Sequence, residues 1–210
     1  MRNKDRQRVV LLRSNPVDPD PRVESTGKAL LNAGYSVSIV GWDRTGDSSH
    51  QKFVLGIPIS HFHLRAEYGS GMGNLIKLLQ WQIFLWRWLI KHQSEFDILH
   101  ACDFDTVLPA LWCKWLYKKR LVYDIFDFYA DHLRNTPSLF KKIIRWLDYW
   151  AISRADAVII ADDTRREQIS GSHPRKLVVI YNTPDDLLVS AVPNEEQIFS
   201  IIYVGILQVE

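Results

Sequence analysis

Cysteine is scarce in this chain. Two residues among 210, Cys102 and Cys113, cannot hold a disulfide scaffold together, so the expectation is a reduced, cytoplasmic protein that relies on a hydrophobic core. Charge of one sign is scarce as well. Twenty-six basic residues against 24 acidic ones leave a net charge of +2, which excludes the strong basic field of a nucleic-acid binder and the acidic tail of a solvating segment. Long apolar runs are missing. The charged N-terminus leads into only four apolar residues, Val9 to Leu12, too few for the apolar region of a signal peptide. The most apolar stretch, residues 75–90, is broken by Lys77, Gln80, Gln82 and Arg87, whereas a membrane-crossing helix needs about 18 uninterrupted apolar residues. There is no G-x-S-x-G elbow, no P-loop and no Cys-x-x-Cys pair, which removes the serine hydrolase, nucleoside-triphosphatase and zinc-ribbon readings.

What remains is ample for a folded domain. Hydrophobic residues make up 47% of the chain and charged residues 24%, with eight Trp, so wholesale disorder is excluded. Short runs rich in Val, Ile and Leu alternate with helical patterns. Strands are expected at 8–14, 35–41, 57–64, 97–101, 120–124, 157–161 and 176–181, with Pro58 marking an edge strand or a strand start. Helices are expected from Arg22 to Gly34 and at 74–93, 105–118, 138–153 and 163–170. Apolar runs of this length separated by helices specify an α/β domain, Rossmann-like and doubly wound, with a mostly parallel sheet covered by helices on both faces. Residues 182–186 read as a turn, 186–198 as a linker and 199–205 as one more strand. The domain is therefore placed at 1–185, and two readings of 199–210 stay open: a last strand of the same sheet, or the first strand of a second domain.

In open parallel sheets ligands bind beyond the carboxyl ends of the strands. Polar residues follow each expected strand there: Ser14, Asn15, Asp18 and Asp20 with Arg22 opening the helix, then His100 and Asp103, then Asp124 and Asp127, then Asp162, Asp163 and Thr164, then Asn182 and Thr183. Singly, such residues also cap helices and close turns. Jointly, with His100 and Asp124 ending hydrophobic strands, they mark a cleft for a hydroxylated or phosphorylated ligand, and Asn15, Arg22, His100, Asp103, Asp124 and Asp127 are its candidate residues. For Asp103 and Asp105 the cleft and helix-cap readings are both open. Residues 69–73 are spaced G-x-G-x-G with no strand directly before them, the pattern of a flexible loop and not of a phosphate loop. His61 and His63 alternate on one strand face without a third ligand nearby, so no metal site is expected.

Several segments carry a family resemblance. Asp18-Pro-Asp-Pro-Arg-Val23, followed by Lys28-Ala-Leu-Leu-Asn-Ala-Gly-Tyr-Ser-Val37, opens the chain; Phe96-Asp-Ile-Leu-His-Ala-Cys-Asp-Phe-Asp-Thr-Val-Leu-Pro-Ala110 lies at its middle; Leu121-Val-Tyr-Asp124, Ala155-Asp-Ala-Val-Ile-Ile160 and Ile180-Tyr-Asn182 with Pro184-Asp185 follow in order, and Ile202-Tyr-Val-Gly-Ile-Leu207 comes last. The sequence resembles a family 4 (group 1) glycosyltransferase over nearly its whole length. The resemblance implies the N-terminal, acceptor-side half of a two-domain GT-B fold. The C-terminal domain of that fold would bind a nucleotide-sugar donor through an E-x7-E carboxylate pair, and the sugar would pass with retention, without a metal or other cofactor, to a glycan or lipid-linked acceptor. It also implies catalytic roles for His100 and Asp127 and substrate-binding roles for Asn15, Arg22, Asp103 and Asp124. Two positions depart from the family pattern. Phe126 stands where the family's Y-D-x-H-E motif has His, with Asp127 in the Glu position, and Asn15-Pro-Val-Asp18 replaces a Gly-Gly pair.

Tryptophan and basic residues share two expected helices: Trp81, Trp86 and Trp88 with Lys77, Arg87 and Lys91, and Trp146 and Trp150 with Lys141, Lys142 and Arg145. They suit either the headgroup zone of an anionic membrane, which would make the protein peripheral on the inner face of the cell membrane, or burial against the sheet and a second domain. Three function classes follow. The first is a glycosyltransferase; the second is a non-catalytic binding module that pairs with a separate donor-domain chain. The third, a generic nucleotide-binding Rossmann protein, ranks last because residues 14–22 lack a glycine fingerprint.

Overall fold

The first hydrophobic run becomes the central strand. β1 (Arg8–Arg13) buries Val9, Val10, Leu11 and Leu12 almost completely, because strands flank both its edges and helices cover both its faces. The computed structural model describes residues 6–46, 52–66, 75–128 and 137–183. Parallel to β1 run β2 (Ser36–Asp43), β4 (Ile57–His63), β5 (Ile98–Cys102), β6 (Arg120–Ile125), β7 (Ala157–Ile160) and β8 (Leu177–Val179). The short β3 (Lys52–Val54) joins β4 antiparallel, giving the order β3-β4-β2-β1-β5-β6-β7-β8. The helices are α1 (Pro21–Asn32), α2 (Leu75–Lys91), α3 (Phe104–Tyr117) and α4 (Ser138–Arg154).

The doubly wound, mostly parallel sheet expected from the sequence is the fold observed. Two local differences stand out. β3 was not foreseen, since its hairpin turns on Leu55 (φ 51°) and Gly56 (φ 79°), and a bulky residue in the left-handed first position of such a turn gives no Asn-Gly or Asp-Gly signal. The stretch expected as a helix over 163–170 is a single 3₁₀ turn, Asp163–Arg166, because the Asp162 side chain accepts from Arg165 N at 3.2 Å and tightens the turn. The 69–73 glycine loop, the 186–198 linker and the 199–210 strand lie outside the described residues.

Strand alternation divides the core in two. Val10 and Leu12, Val40 and Trp42, Leu99 and Ala101, Leu121, Tyr123 and Ile125, and Val158 and Ile160 pack under α2, α3 and α4. Leu11, Val37, Ile39 and Cys102 face the other way and meet α1 through Val23 and Leu30. Because β2 and β4 lie on one side of β1 and β5 to β8 on the other, right-handed crossovers put α1 on one face and α3 and α4 on the opposite face. α1 comes so close that a Cβ on Gly27 would stand 2.6 Å from Ile57 Cδ1. Trp42 and Trp81 stack at 5.6 Å between β2 and α2, and their indole N–H groups donate to Leu64 O (2.9 Å) and Asp105 O (3.1 Å), the partners a buried Trp requires.

One carboxylate sits deep in the larger core. Asp148 of α4 is fully buried and accepts from the Tyr123 hydroxyl at 2.7 Å, while its Oδ2 has no partner. Burial pushes its pKa up to about 7, with Tyr123 pulling the other way. A carboxyl whose pKa is higher folded than unfolded stabilises the fold at low pH and loses that contribution as pH rises to the folded value. Urea denaturation should therefore show unfolding free energy falling by up to about 1.4 kcal/mol per pH unit between about pH 4 and 7 from this group. In Asp148→Asn that slope between about pH 6 and 7 should disappear.

Candidate active site

Period-two alternation and strand register together build the site. Leu11 pairs with His100 across β1 and β5, and Cys102 with Asp124 across β5 and β6. Arg13, His100 and Asp124 therefore lie on the face that α1 covers, at the carboxyl ends of three adjacent strands. That is where β1, with β2 on one side and β5 on the other, makes the topological switch. α1 is started by Asp20, whose Oδ1 accepts from Val23 N at 3.3 Å while its own N–H donates to Glu24 Oε1 at 2.9 Å, with Pro21 as the first helical residue. This cap aims Arg22 at the strand ends.

Arg22 donates to Asp124 Oδ1 at 2.5 Å, and Asp124 Oδ2 lies 3.2 Å from His100 Nε2. Burial favours the neutral acid, yet His100 and Arg22 hold the Asp124 pKa below its ordinary value. An ionised carboxylate only accepts hydrogen bonds, so the His100 nitrogen facing it must carry a proton. Arg13 Nε donates to Asp20 Oδ2 at 2.8 Å, and its other branch donates to Asp103 Oδ2. Burial works against the Arg13 charge, but Asp103 and Asp20 outweigh it and raise the pKa.

Asp103 is where the site is tied together. It precedes α3, but its side chain makes no cap hydrogen bond, which decides against the cap reading. Its Oδ1 accepts instead from Phe126 N at 2.8 Å and Asp127 N at 3.3 Å, so the loop after β6 is fastened to the loop after β5. Burial pushes its pKa up to about 6, with Arg13 and the two backbone N–H groups opposing. Asp105, two residues on, is buried with the Arg44 guanidinium 3.9 Å away, and burial raises its pKa. The Phe126 ring has the Arg13 guanidinium carbon 4.3 Å and the Arg22 guanidinium carbon 4.5 Å from its centroid.

The structure thus brings Arg22, His100, Asp103 and Asp124 into one cluster. Among the described residues no hydrogen bond joins Asn15 to this cluster: it is half-buried in the loop after β1, and that loop rests on β2 at Gly41, where a Cβ would stand 2.9 Å from Val17 Cγ2 and 3.3 Å from Asn15 O. Asp127 is at the rim, its side chain 60% exposed and paired with Arg165 at 3.3 Å. Sequence reasoning missed Arg13, Arg44 and the stacking role of Phe126. Arg13 had a signal: a charged residue closing an otherwise apolar central strand.

The model of Glycosyltransferase Family 4 matches residues 22–186, most of the chain. The chain belongs to glycosyltransferase family 4. Its fold is similar to that of sucrose-phosphate synthase from Thermosynechococcus elongatus, with a TM-score of 0.63 at 10% identity over 85% of this chain and 91% of that one. It is also similar to the lipopolysaccharide outer core galactosyltransferase WaaB (TM-score 0.56, 15% identity, 91% of this chain and 50% of that one). Anabaena HepE in complex with UDP and glucose matches with a TM-score of 0.53 at 17% identity, over 84% of this chain and 45% of that one. At such identities the likeness is one of fold, and the chain spans about half the length of the last two. Comparison with curated proteins gave no match.

These neighbours place the family 4 chain as the N-terminal half of a GT-B fold. Phe126, in the position where the family motif has His, cannot hydrogen-bond a ligand; in this family 4 domain it is the surface on which two guanidinium groups lie. Arg22→Ala would leave Asp124 as a buried charge with only His100 beside it. A loss of about 3–5 kcal/mol in urea denaturation is expected, much of it recovered in the double variant Arg22→Met/Asp124→Leu, which removes both charges together.

Proposed function

We propose that this chain is the acceptor-side domain of a retaining glycosyltransferase, which passes a sugar from a nucleotide-sugar donor held by a second domain to a glycan or lipid-linked acceptor. One observation carries the reading. Each guanidinium of the cluster already faces a carboxylate: Arg13 meets Asp20 and Asp103, Arg22 meets Asp124, and Arg44 meets Asp105. Three cations against four carboxylates leave no surplus positive charge for a diphosphate, so the donor's phosphates need their countercharge from elsewhere. A balanced, hydrogen-bonding site suits sugar hydroxyls instead. Retention and the donor's E-x7-E site rest on the family resemblance. The reading takes no metal and no cofactor; the carboxylate oxygens of Asp103 and Asp124 are committed to guanidinium, imidazole and amide donors.

In this reading Asp124 accepts from His100 Nε2 and fixes the orientation of the ring, so that Nδ1 is the nitrogen that meets an acceptor hydroxyl. Asp127, the most exposed carboxylate of the set, accepts from a second hydroxyl at the rim, beside Arg165. Arg22 and Asp103 keep the strand ends and loops in register, and orientation is the catalytic contribution of this half.

Two measurements test the proposal. Calorimetry of the 210-residue chain against UDP- and GDP-sugars should show no saturable binding up to about 1 mM, the upper end of ordinary substrate affinities; tight binding would overturn the acceptor-side assignment. In the enzyme complete with its donor domain, His100→Ala and Asp127→Asn should each lower kcat by about 10²–10⁴-fold with the donor KM unchanged, and full activity in both would remove these residues from the mechanism.

A further inference from the structure

Outside the site, one face of the molecule has a composition unlike the rest. Among the described residues, 12 of the 17 exposed large hydrophobic side chains belong to α2, α3 and α4. On α2, Ile76 is 72% and Ile83 57% exposed, with Trp86 beside them at 42%. On α3, Trp112 and Trp115 are exposed and meet edge to face at 6.2 Å; Trp115 in turn meets Trp150 of α4 at 5.4 Å. Trp146 of α4 is 64% exposed. α3 and α4 therefore share an exposed aromatic surface, and α2, packed against α3 in the same layer, adds a further set of exposed apolar side chains, more than the scattered exposed Leu or Ile of an ordinary protein face.

Charge on the same helices is one-sided. They carry eight basic residues: Lys77, Arg87 and Lys91 on α2, Lys114 on α3, which is paired with Asp156 at 2.8 Å and adds no net charge, and Lys141, Lys142, Arg145 and Arg154 on α4. Their only acidic residues, Asp105 and Asp148, are both buried. The whole chain is nearly neutral at +2, so this segregation belongs to the face and not to the composition. The arrangement around α2 is also ordered. At about 100° per residue, Leu75, Trp86, Leu79, Ile83 and Ile76 share an exposed arc of about 100°, and Arg87 and Lys91 border it on one side. An apolar stripe with a cationic border is the pattern of a helix lying in the plane of a bilayer surface, its Trp rings at headgroup depth and its Lys and Arg stems reaching to the phosphates.

We infer that the α2–α3–α4 face seats the chain on an anionic lipid bilayer. The face flanks the sheet, whereas a donor domain would approach the carboxyl ends of the strands, so both can be occupied at once. Charge complementarity selects the occupant: a surface with exposed cations and no exposed acid fits anionic headgroups, while a second copy of the same surface would be repelled. The inference rests on surface chemistry alone and stands apart from the proposed reaction.

The test uses the 210-residue chain with sonicated vesicles of phosphatidylglycerol and phosphatidylcholine, or of phosphatidylcholine alone. The expected result is co-sedimentation with the anionic vesicles at low ionic strength, release in near-molar salt, and quenching of Trp fluorescence by brominated phosphatidylglycerol. The variant Arg87→Glu/Lys142→Glu changes two exposed residues outside the site. It should keep the wild-type circular dichroism spectrum and lose about tenfold or more in partitioning. No binding to anionic vesicles by folded protein, equal binding to neutral ones, or undiminished binding by the charge-reversed variant would each overturn the inference. So would a concentration-dependent dimer whose Trp residues stay unquenched by lipid.

Discussion

The carboxyl edge of the sheet depends on where Asp103 puts its carboxylate. The residue stands at φ 68°, ψ 168°, a region that a side chain makes costly, by about 1–3 kcal/mol. That conformation turns the carboxylate away from the helix it precedes and toward three donors on two other elements: Arg13 at the end of β1, and the Phe126 and Asp127 N–H groups after β6. Charge-assisted hydrogen bonds in a water-poor site offset the backbone cost. One side chain thus fixes the relative position of three strand ends, and Phe126, held by its own N–H, receives both guanidinium groups.

Topology explains why this happens at β1, β5 and β6. α1 leaves β1 toward β2, while the chain re-enters the sheet on the other side of β1 at β5. The helices diverge to opposite faces, and the strand ends between them are left uncovered by helix backbone. Polar side chains there can be buried against one another without blocking a ladder. Strands fix such a site and loops vary it, which lets one fold serve many ligands.

The same helical layer does two different things with its aromatic residues. Trp81 turns inward to Trp42 with its N–H satisfied, whereas Trp86, five positions further on the same helix, points out. Burial and surface presentation coexist on one helix because the apolar arc is wider than the sheet can cover. No helix among the described residues is long and apolar enough to cross a membrane.

Among the described residues, seven of the eight strands and all four helices were legible in the sequence, because unbroken runs such as Val9–Leu12 and Ala157–Ile160 can only be buried on both faces, and apolar spacing such as Val23, Ala29, Leu30 and Ala33 before Gly34 marks a helix and its end. The polar residues at strand ends were legible too, since a hydrophobic strand that stops at His-Ala-Cys-Asp or Tyr-Asp announces a change of environment. β3 was not, as Leu55 hides its turn. The partnerships were not either. Arg13 and Asp103 lie 90 positions apart and Arg22 and Asp124 lie 102 apart, and nothing local in a sequence encodes which charge meets which. Sequence alone determined the doubly wound sheet and the edge on which polar groups gather, because periodicity and burial are local properties. Only the tertiary structure decided that Asp103 is a clasp and not a cap, that Phe126 carries two guanidiniums, and that three helices pool their exposed Trp and Lys on one face, because those depend on strand order and crossover handedness bringing distant residues together.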